Sequence, residues 1–171
     1  MAGRDIGLTE KSTLRKNIRH QGKQKRSKSQ KLKRGKPIIG YTDHSTVKLD
    51  FDDMPFREVK YWAIRAMNWF KLEGFIILKS SKNHYHMLFN RPVTWEKNLK
   101  IIDWVAILTK NPKVKDYCLM QGIKQSSTLR ISTKKNKPSP RIVFHYGKQD
   151  KEISEYLHYC RMFKKNLRII L

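Results

Sequence analysis

Two clusters of carboxylate and imidazole side chains mark this basic sequence as one that could do chemistry on phosphates. Asp50-Phe51-Asp52 sets two carboxylates two residues apart. On a strand both project from one face, and their repulsion costs energy unless a cation lies between them. Hard carboxylate oxygens favour Mg²⁺ or Mn²⁺ over zinc. The plainer reading is a pair of solvated acids at a strand end, with Asp53 capping the next helix. Farther on, Ser80-Ser81-Lys82-Asn83-His84-Tyr85-His86 is a polar turn running into Met87, Leu88 and Phe89. His84 and His86 share a strand face, where either imidazole, Ser81, Lys82 or the N–H groups of the turn can bind a phosphate. In the stretch Thr128 to Lys134, Arg130, Ser132 and Lys134 alternate onto one face, a row suited to a triphosphate or a nucleic-acid backbone.

The elements that must position these groups follow from periodicity. Thr46 to Asp52 alternates Val47, Leu49 and Phe51 with Lys48, Asp50 and Asp52, the pattern of a strand with one apolar face. Asp53 and Pro55 open a helix carrying Val59, Trp62, Ala63, Ala66, Trp69 and Phe70, which ends near Leu72 and Gly74. Phe75 to Leu78 reads as a second strand and His84 to Phe89 as a third, joined as a hairpin, so the order begins β-α-β-β. Thr94 caps a second helix with Glu96 in its first turn, ending before Pro112. Lys113 to Met120 reads as helical, Thr128 to Thr133 and Arg141 to Tyr146 as strands. Asp150 is expected to cap a last helix bearing Ile153, Tyr156, Leu157, Cys160 and Phe163. The sum is an α+β domain over residues 38–171, with a mixed or antiparallel sheet resembling that of an RNA-recognition motif and flanking helices.

Charge names the class of partner. The 171 residues hold 38 Lys and Arg against 14 Asp and Glu, a net charge of +24. Solubility alone favours a magnitude of only about 2–8 in a small domain. Thirteen of the basic residues fall within residues 1–37, beside only Asp5 and Glu10 and few large apolar groups. Such a segment reads as a disordered arm that binds phosphates without reading sequence, or as a localisation signal. No apolar span or secretory h-region is visible, which excludes a membrane partner at this level and points to the cytoplasm, associated with the nucleoid, or to the nucleus of a eukaryotic host. Cys118 and Cys160 lack metal-ligand spacing and read as small buried hydrophobes.

The order of a DxD strand, a helix, a strand, a serine-rich turn ending in histidine, and a later Leu-Arg strand with a lysine resembles the archaeo-eukaryotic primase (primase-polymerase) superfamily over about residues 46–137. The resemblance implies a nucleotidyltransferase of DNA replication. Asp50 and Asp52 would hold Mg²⁺ or Mn²⁺, His86 would contact the phosphates of a nucleoside triphosphate, and Ser81, Lys82, His84, Arg130, Ser132 and Lys134 would bind nucleotide and backbone. It also implies a third carboxylate shortly before the Arg130 strand, yet residues 121–128 hold no acid; Asp116 is the nearest upstream and Asp103 lies farther back. His84-Tyr85-His86 equally resembles the histidine-hydrophobe-histidine signature of HUH endonucleases, which nick single-stranded DNA. That likeness implies a metal held by both histidines and an acid, Glu73 or Asp50, with Tyr156 or Tyr159 as nucleophile. A third possibility is a binding module without catalysis, in which Phe51 and Tyr85 stack on bases. DNA ranks ahead of RNA as partner, other replication proteins are further candidates, and a plasmid or virus is the host process that size and fold suggest.

Overall fold

The computed structural model of the protein describes residues 37–135 and 137–170. Apart from Pro37, the basic arm lies outside the described residues. The chain runs β1 (Gly40–Asp43), β2 (Thr46–Phe51), α1 (Phe56–Phe70), β3 (Gly74–Ser81), β4 (His84–Pro92), α2 (Trp95–Thr109), α3 (Pro112–Lys124), β5 (Ser127–Arg130), β6 (Arg141–Gly147) and α4 (Glu152–Ile170). Four strands form an antiparallel sheet in the order β2-β4-β3-β6, and β1 pairs with β5 in a separate antiparallel ribbon. The fold is α+β; the predicted β-α-β-β run is present as β2-α1-β3-β4, but β1 precedes it, so the expected first strand is the second.

Local chemistry sets the boundaries. The Thr94 hydroxyl accepts from the Lys97 N–H and opens α2, while Asn111 accepts from the Lys113 N–H at 2.8 Å and Pro112 fills the first turn of α3. Two expected caps fall elsewhere. Asp53 has a left-handed backbone (φ 57°) and sits before the cap position, which Pro55 occupies without a side-chain bond. Asp150 accepts from Asn90 at 2.8 Å, two residues ahead of α4. Gly74 is required where β3 passes β6, because a Cβ there would lie 2.1 Å from the Lys148 carbonyl oxygen.

The sheet is buried on both faces over β2, β4 and β3, while the edge strand β6 is exposed along nearly its whole length. On the first, Val47, Leu49, Phe51, Phe75, Ile77, Tyr85, Met87 and Phe89 pack with Val59, Ala63 and Ala66 of α1, Ile101, Ile102 and Val105 of α2 and Val114 of α3. Each such large side chain taken fully from water is worth about 1.5–3 kcal/mol. On the second face Ile76, Leu78 and Leu88 meet Tyr41 and Leu129 of the ribbon and Ile153 and Tyr156 of α4. Phe51 and Tyr85 are therefore core residues, which corrects the expectation that they stack on bases. Cys118 is buried, with its thiol pushed up to about 11 by burial and by Asp103 beside it, and Cys160 is half-buried. Among the described residues no helix is long and apolar enough to cross a membrane.

Candidate functional site

β2 and β4 present a row of polar side chains on the second face, because positions two apart on a strand point the same way. The register sets Lys48 opposite Leu88 and Asp50 opposite His86, with Leu78 on the other side of His86. The outer members of the row are satisfied. Lys48 is fully buried, yet its Nζ lies 2.5 Å from Asp43 Oδ2 and 3.1 Å from Ser127 Oγ, over the Tyr41 ring. Burial lowers the Lys48 pKa and Asp43 opposes that fall. At the other end Asn90 donates to Asp150 and accepts the Lys151 N–H at 3.0 Å.

The middle of the row is not satisfied. His86 Nε2 lies 3.7 Å from Asp50 Oδ1, beyond hydrogen-bonding distance. Asp50 Oδ1, His86 Nδ1 and, opposite His84 on β3, Ser81 Oγ are sealed from solvent without a hydrogen-bond partner, as are Trp62 Nε1 and Asn98 Oδ1 on the helices of the other face. Buried polar atoms of this kind are rare and call for a reason. Burial, then the charge of Asp52, pushes the Asp50 carboxyl up to about 7, against the pull of His84, Arg130 and Lys137. Burial first and Arg130 second push His86 down to about 4, so its imidazole is neutral at physiological pH. The Asp50 side chain as a whole keeps 34 % exposure, so this pair forms the inner wall of a face that still reaches water.

His84 and Asp52 make a second pair just beyond, where β4 begins and β2 has ended. His84 Nδ1 bonds Asp52 Oδ1, and its Nε2 lies 3.8 Å from Asp53 Oδ1. Asn111 holds the Asp52 carbonyl at 3.0 Å. A carboxylate on one ring nitrogen fixes the orientation of an imidazole and leaves the other nitrogen to act. The four residues Asp50, Asp52, His84 and His86 are thus brought to one corner, each acid against one imidazole. Among the described residues no group of three or more His, Cys, Asp or Glu is arranged to hold a metal ion. Mg²⁺ held through one or two carboxylates and completed by water or phosphate oxygens needs no such group, and of these four residues Asp50 and Asp52 offer the oxygen ligands it prefers, whereas the imidazoles suit softer metals.

Other expected members stand elsewhere. Asp116 is exposed on α3, because Val114 and Cys118 occupy the buried positions on either side of it, and it makes no hydrogen bond or ion pair among the described residues. Asp103 accepts from the Cys118 thiol. Glu73 pairs with Lys151 at 3.1 Å, five residues before the Leu78 that faces His86. The row of Arg130, Ser132 and Lys134 breaks after Arg130, where pairing with β1 ends. Ser132 is buried and accepts the Ile39 N–H at 2.8 Å, and Lys134 enters a turn bridged to Lys137. Arg130 remains: it donates to the Ser132 and Pro138 carbonyls, and its charge acts on Asp50 and His86. Lys137 acts on the same two groups; only the basic run Lys134 to Lys137 hinted at it. Lys82 is exposed in the hairpin turn, beside Asn83 with its left-handed φ of 55°.

α4 carries both tyrosines. Tyr156 is 1 % exposed, with its ring edge-on to Tyr41, and burial followed by the neighbouring Cys160 thiol raises its pKa. Tyr159 is 50 % exposed and lies 5.4 Å from Tyr41, centroid to centroid. Neither phenol hydrogen-bonds to Asp50, His84 or His86 among the described residues. In comparisons with known proteins, no family model, no curated protein and no solved structure matches this chain.

Proposed function

We propose that the Asp50–His86 corner performs divalent-cation-assisted phosphodiester chemistry on nucleic acid, in its strand-nicking form. The observation that carries this reading is the unsatisfied pair itself: Asp50 and His86 stand in register on adjacent strands, and Asp50 Oδ1 and His86 Nδ1 are buried without a hydrogen-bond partner. Two same-face histidines on an interior strand, one of them oriented by Asp52, add donors of the right chemistry. Asp50 and His86 would hold Mg²⁺ or Mn²⁺ there, and the ion would supply polarisation of the scissile phosphate and offset the charge that develops on it. Arg130 and Lys137 draw the phosphate backbone in, and Tyr159 is the accessible phenol on the helix that covers this face. Its oxygen bonds to phosphorus and gives up its proton, the bond to the neighbouring nucleoside oxygen breaks, and that oxygen leaves as a hydroxyl carrying one proton in exchange.

A second reading, nucleotidyl transfer from a nucleoside triphosphate, is favoured by the field of Arg130 and Lys137 at Asp50, which suits a polyphosphate. It lacks its third carboxylate, since Asp116 faces outward. DNA as the substrate, and a replication role in a plasmid or virus, belong to the same proposal. The test is one incubation of the full chain with single-stranded DNA, a primed template, labelled nucleotides and Mn²⁺. The nicking reading predicts cleavage without added nucleotides and a denaturant-resistant protein–DNA adduct, both lost in Asp50→Asn and the adduct lost in Tyr159→Phe. Nucleotide-dependent extension supports the second reading instead, and salt-sensitive binding without either product leaves only a binding module.

A further inference from the structure

The other side of the molecule holds a surface that the Asp50–His86 site does not use. α1 packs on the first face of the sheet through Val59, Ala63 and Ala66, which leaves Tyr61, Arg65 and Trp69 at four-residue steps along its outer side. Tyr61 is 51 % and Trp69 70 % exposed. Their exposure is organised. The Trp69 ring is stacked on Trp104 of α2 at 15° with centroids 6.3 Å apart, so its open side faces solvent. Arg65 lies 5.6 Å over the Tyr61 ring and 5.5 Å over Trp62, and its guanidinium donates to the Tyr61 hydroxyl at 3.0 Å. Lys60 sits 4.3 Å over Phe144 of β6 nearby.

We propose that Tyr61, Arg65 and Trp69 form a stacking platform for the bases of single-stranded nucleic acid, separate from the cation corner and on the opposite side of the sheet. Large aromatic faces left in water at this density are costly in an unpartnered surface, and rings braced by neighbours present a flat face at little entropic cost. Every base has a π face, so such rings bind without sequence preference, and a guanidinium between them meets the phosphate that links successive bases. Charge complementarity selects the occupant: α1 carries Arg57, Lys60 and Arg65 against Glu58 alone, in a chain of net charge +24.

The test is binding of a labelled oligothymidylate to the full chain, in EDTA and at high salt. EDTA makes the outcome independent of the cation chemistry, and salt weakens purely ionic contacts such as those of the basic arm. Trp69→Ala is expected to weaken single-strand binding about 5- to 150-fold, the range for one lost base stack. Trp69→Phe should retain most of the affinity, and a duplex of equal length should not respond to either change. Unaltered single-strand affinity in folded Trp69→Ala and Tyr61→Ala overturns the proposal. So does a wild-type dimer in sedimentation that Trp69→Ala converts to monomer, since the platform would then be a protein interface.

Discussion

The two faces of the central sheet bury their surface by different rules. The first is apolar throughout, from Val47 to Phe89, and is closed by three helices. The second threads Lys48, Asp50, His86 and Asn90 between apolar neighbours, beneath a ribbon and a single helix. Burying a polar group is costly unless it is partnered. Lys48 and Asn90 meet that condition through Asp43, Ser127, Asp150 and the Lys151 N–H, whereas Asp50 and His86 do not. The contrast teaches that polarity alone does not mark the site; the unsatisfied middle of an otherwise satisfied row does.

The largest effect should come from the first face. Phe89→Ala is expected to cost about 3–5 kcal/mol in denaturant unfolding, the loss typical of a buried aromatic; a loss below about 1 kcal/mol would erase the distinction between the faces. Next comes the satisfied end of the row. Asp43→Asn leaves the Lys48 ammonium buried without its counter-charge and should cost about 2–4 kcal/mol, somewhat under the figure for a wholly buried pair because Asp43 keeps 23 % exposure. Lys48→Met, which removes the charge and keeps the volume, should cost less than about 1.5 kcal/mol. The reverse ranking would mean that the pair is not what holds Lys48 in place.

The unsatisfied middle should show itself in pH dependence. Asp50 has a folded pKa of about 7, above its ordinary value of 3.8, so its contribution to stability is complete at low pH and is lost as pH rises toward 7. His86 is the opposite case. Its folded pKa of about 4 lies below the ordinary 6.5, so its contribution is present above pH 6.5 and is lost as pH falls toward 4. Between those limits the two slopes oppose, and wild-type stability should be nearly flat. Asp50→Asn leaves His86 alone, and stability should then climb with pH by up to about 1.4 kcal/mol per unit. Equal slopes in both proteins would contradict the opposition. The smallest effect belongs to Asp116→Ala, which should change stability by less than about 0.5 kcal/mol and leave cleavage intact; lost cleavage would restore Asp116 to the site.

How far the sequence led differs by element. The alternation of Val47, Leu49 and Phe51 and the hairpin into His84 to Phe89 placed β2 and β4, the shared face of Asp50 and Asp52 and that of His84 and His86, because a two-residue period leaves little choice of face; the register that sets Asp50 opposite His86 comes from the structure. The same alternation put Lys48 on the Asp50 face, though its buried pairing with Asp43 depends on a ribbon that local pattern does not reveal. β1 is four residues long and its partner β5 lies more than 80 residues away, so β1 carries no self-sufficient signal, while the alternation over Thr128 to Thr133 locates β5 but runs past its end at Arg130. Asp116 could have been set aside from helix geometry: two residues from Val114 turn it by about 200°, to the outer side. Trp69 reads with the apolar stripe of α1 because it falls near the spacing of Val59, Ala63 and Ala66, and periodicity does not separate a stripe's centre from its margin; Trp62, at the same spacing, does pack half-buried against the core.

We propose Asp50 and His86 as the position that a divalent cation takes. That proposal is tested most directly by following the six histidine imidazoles of the full chain in NMR spectra as Mn²⁺ is added. The account predicts that His86 and His84 broaden at the lowest Mn²⁺ concentrations while the other four stay sharp, and that Asp50→Asn abolishes the selectivity. Uniform broadening, or selective broadening that survives Asp50→Asn, would contradict it.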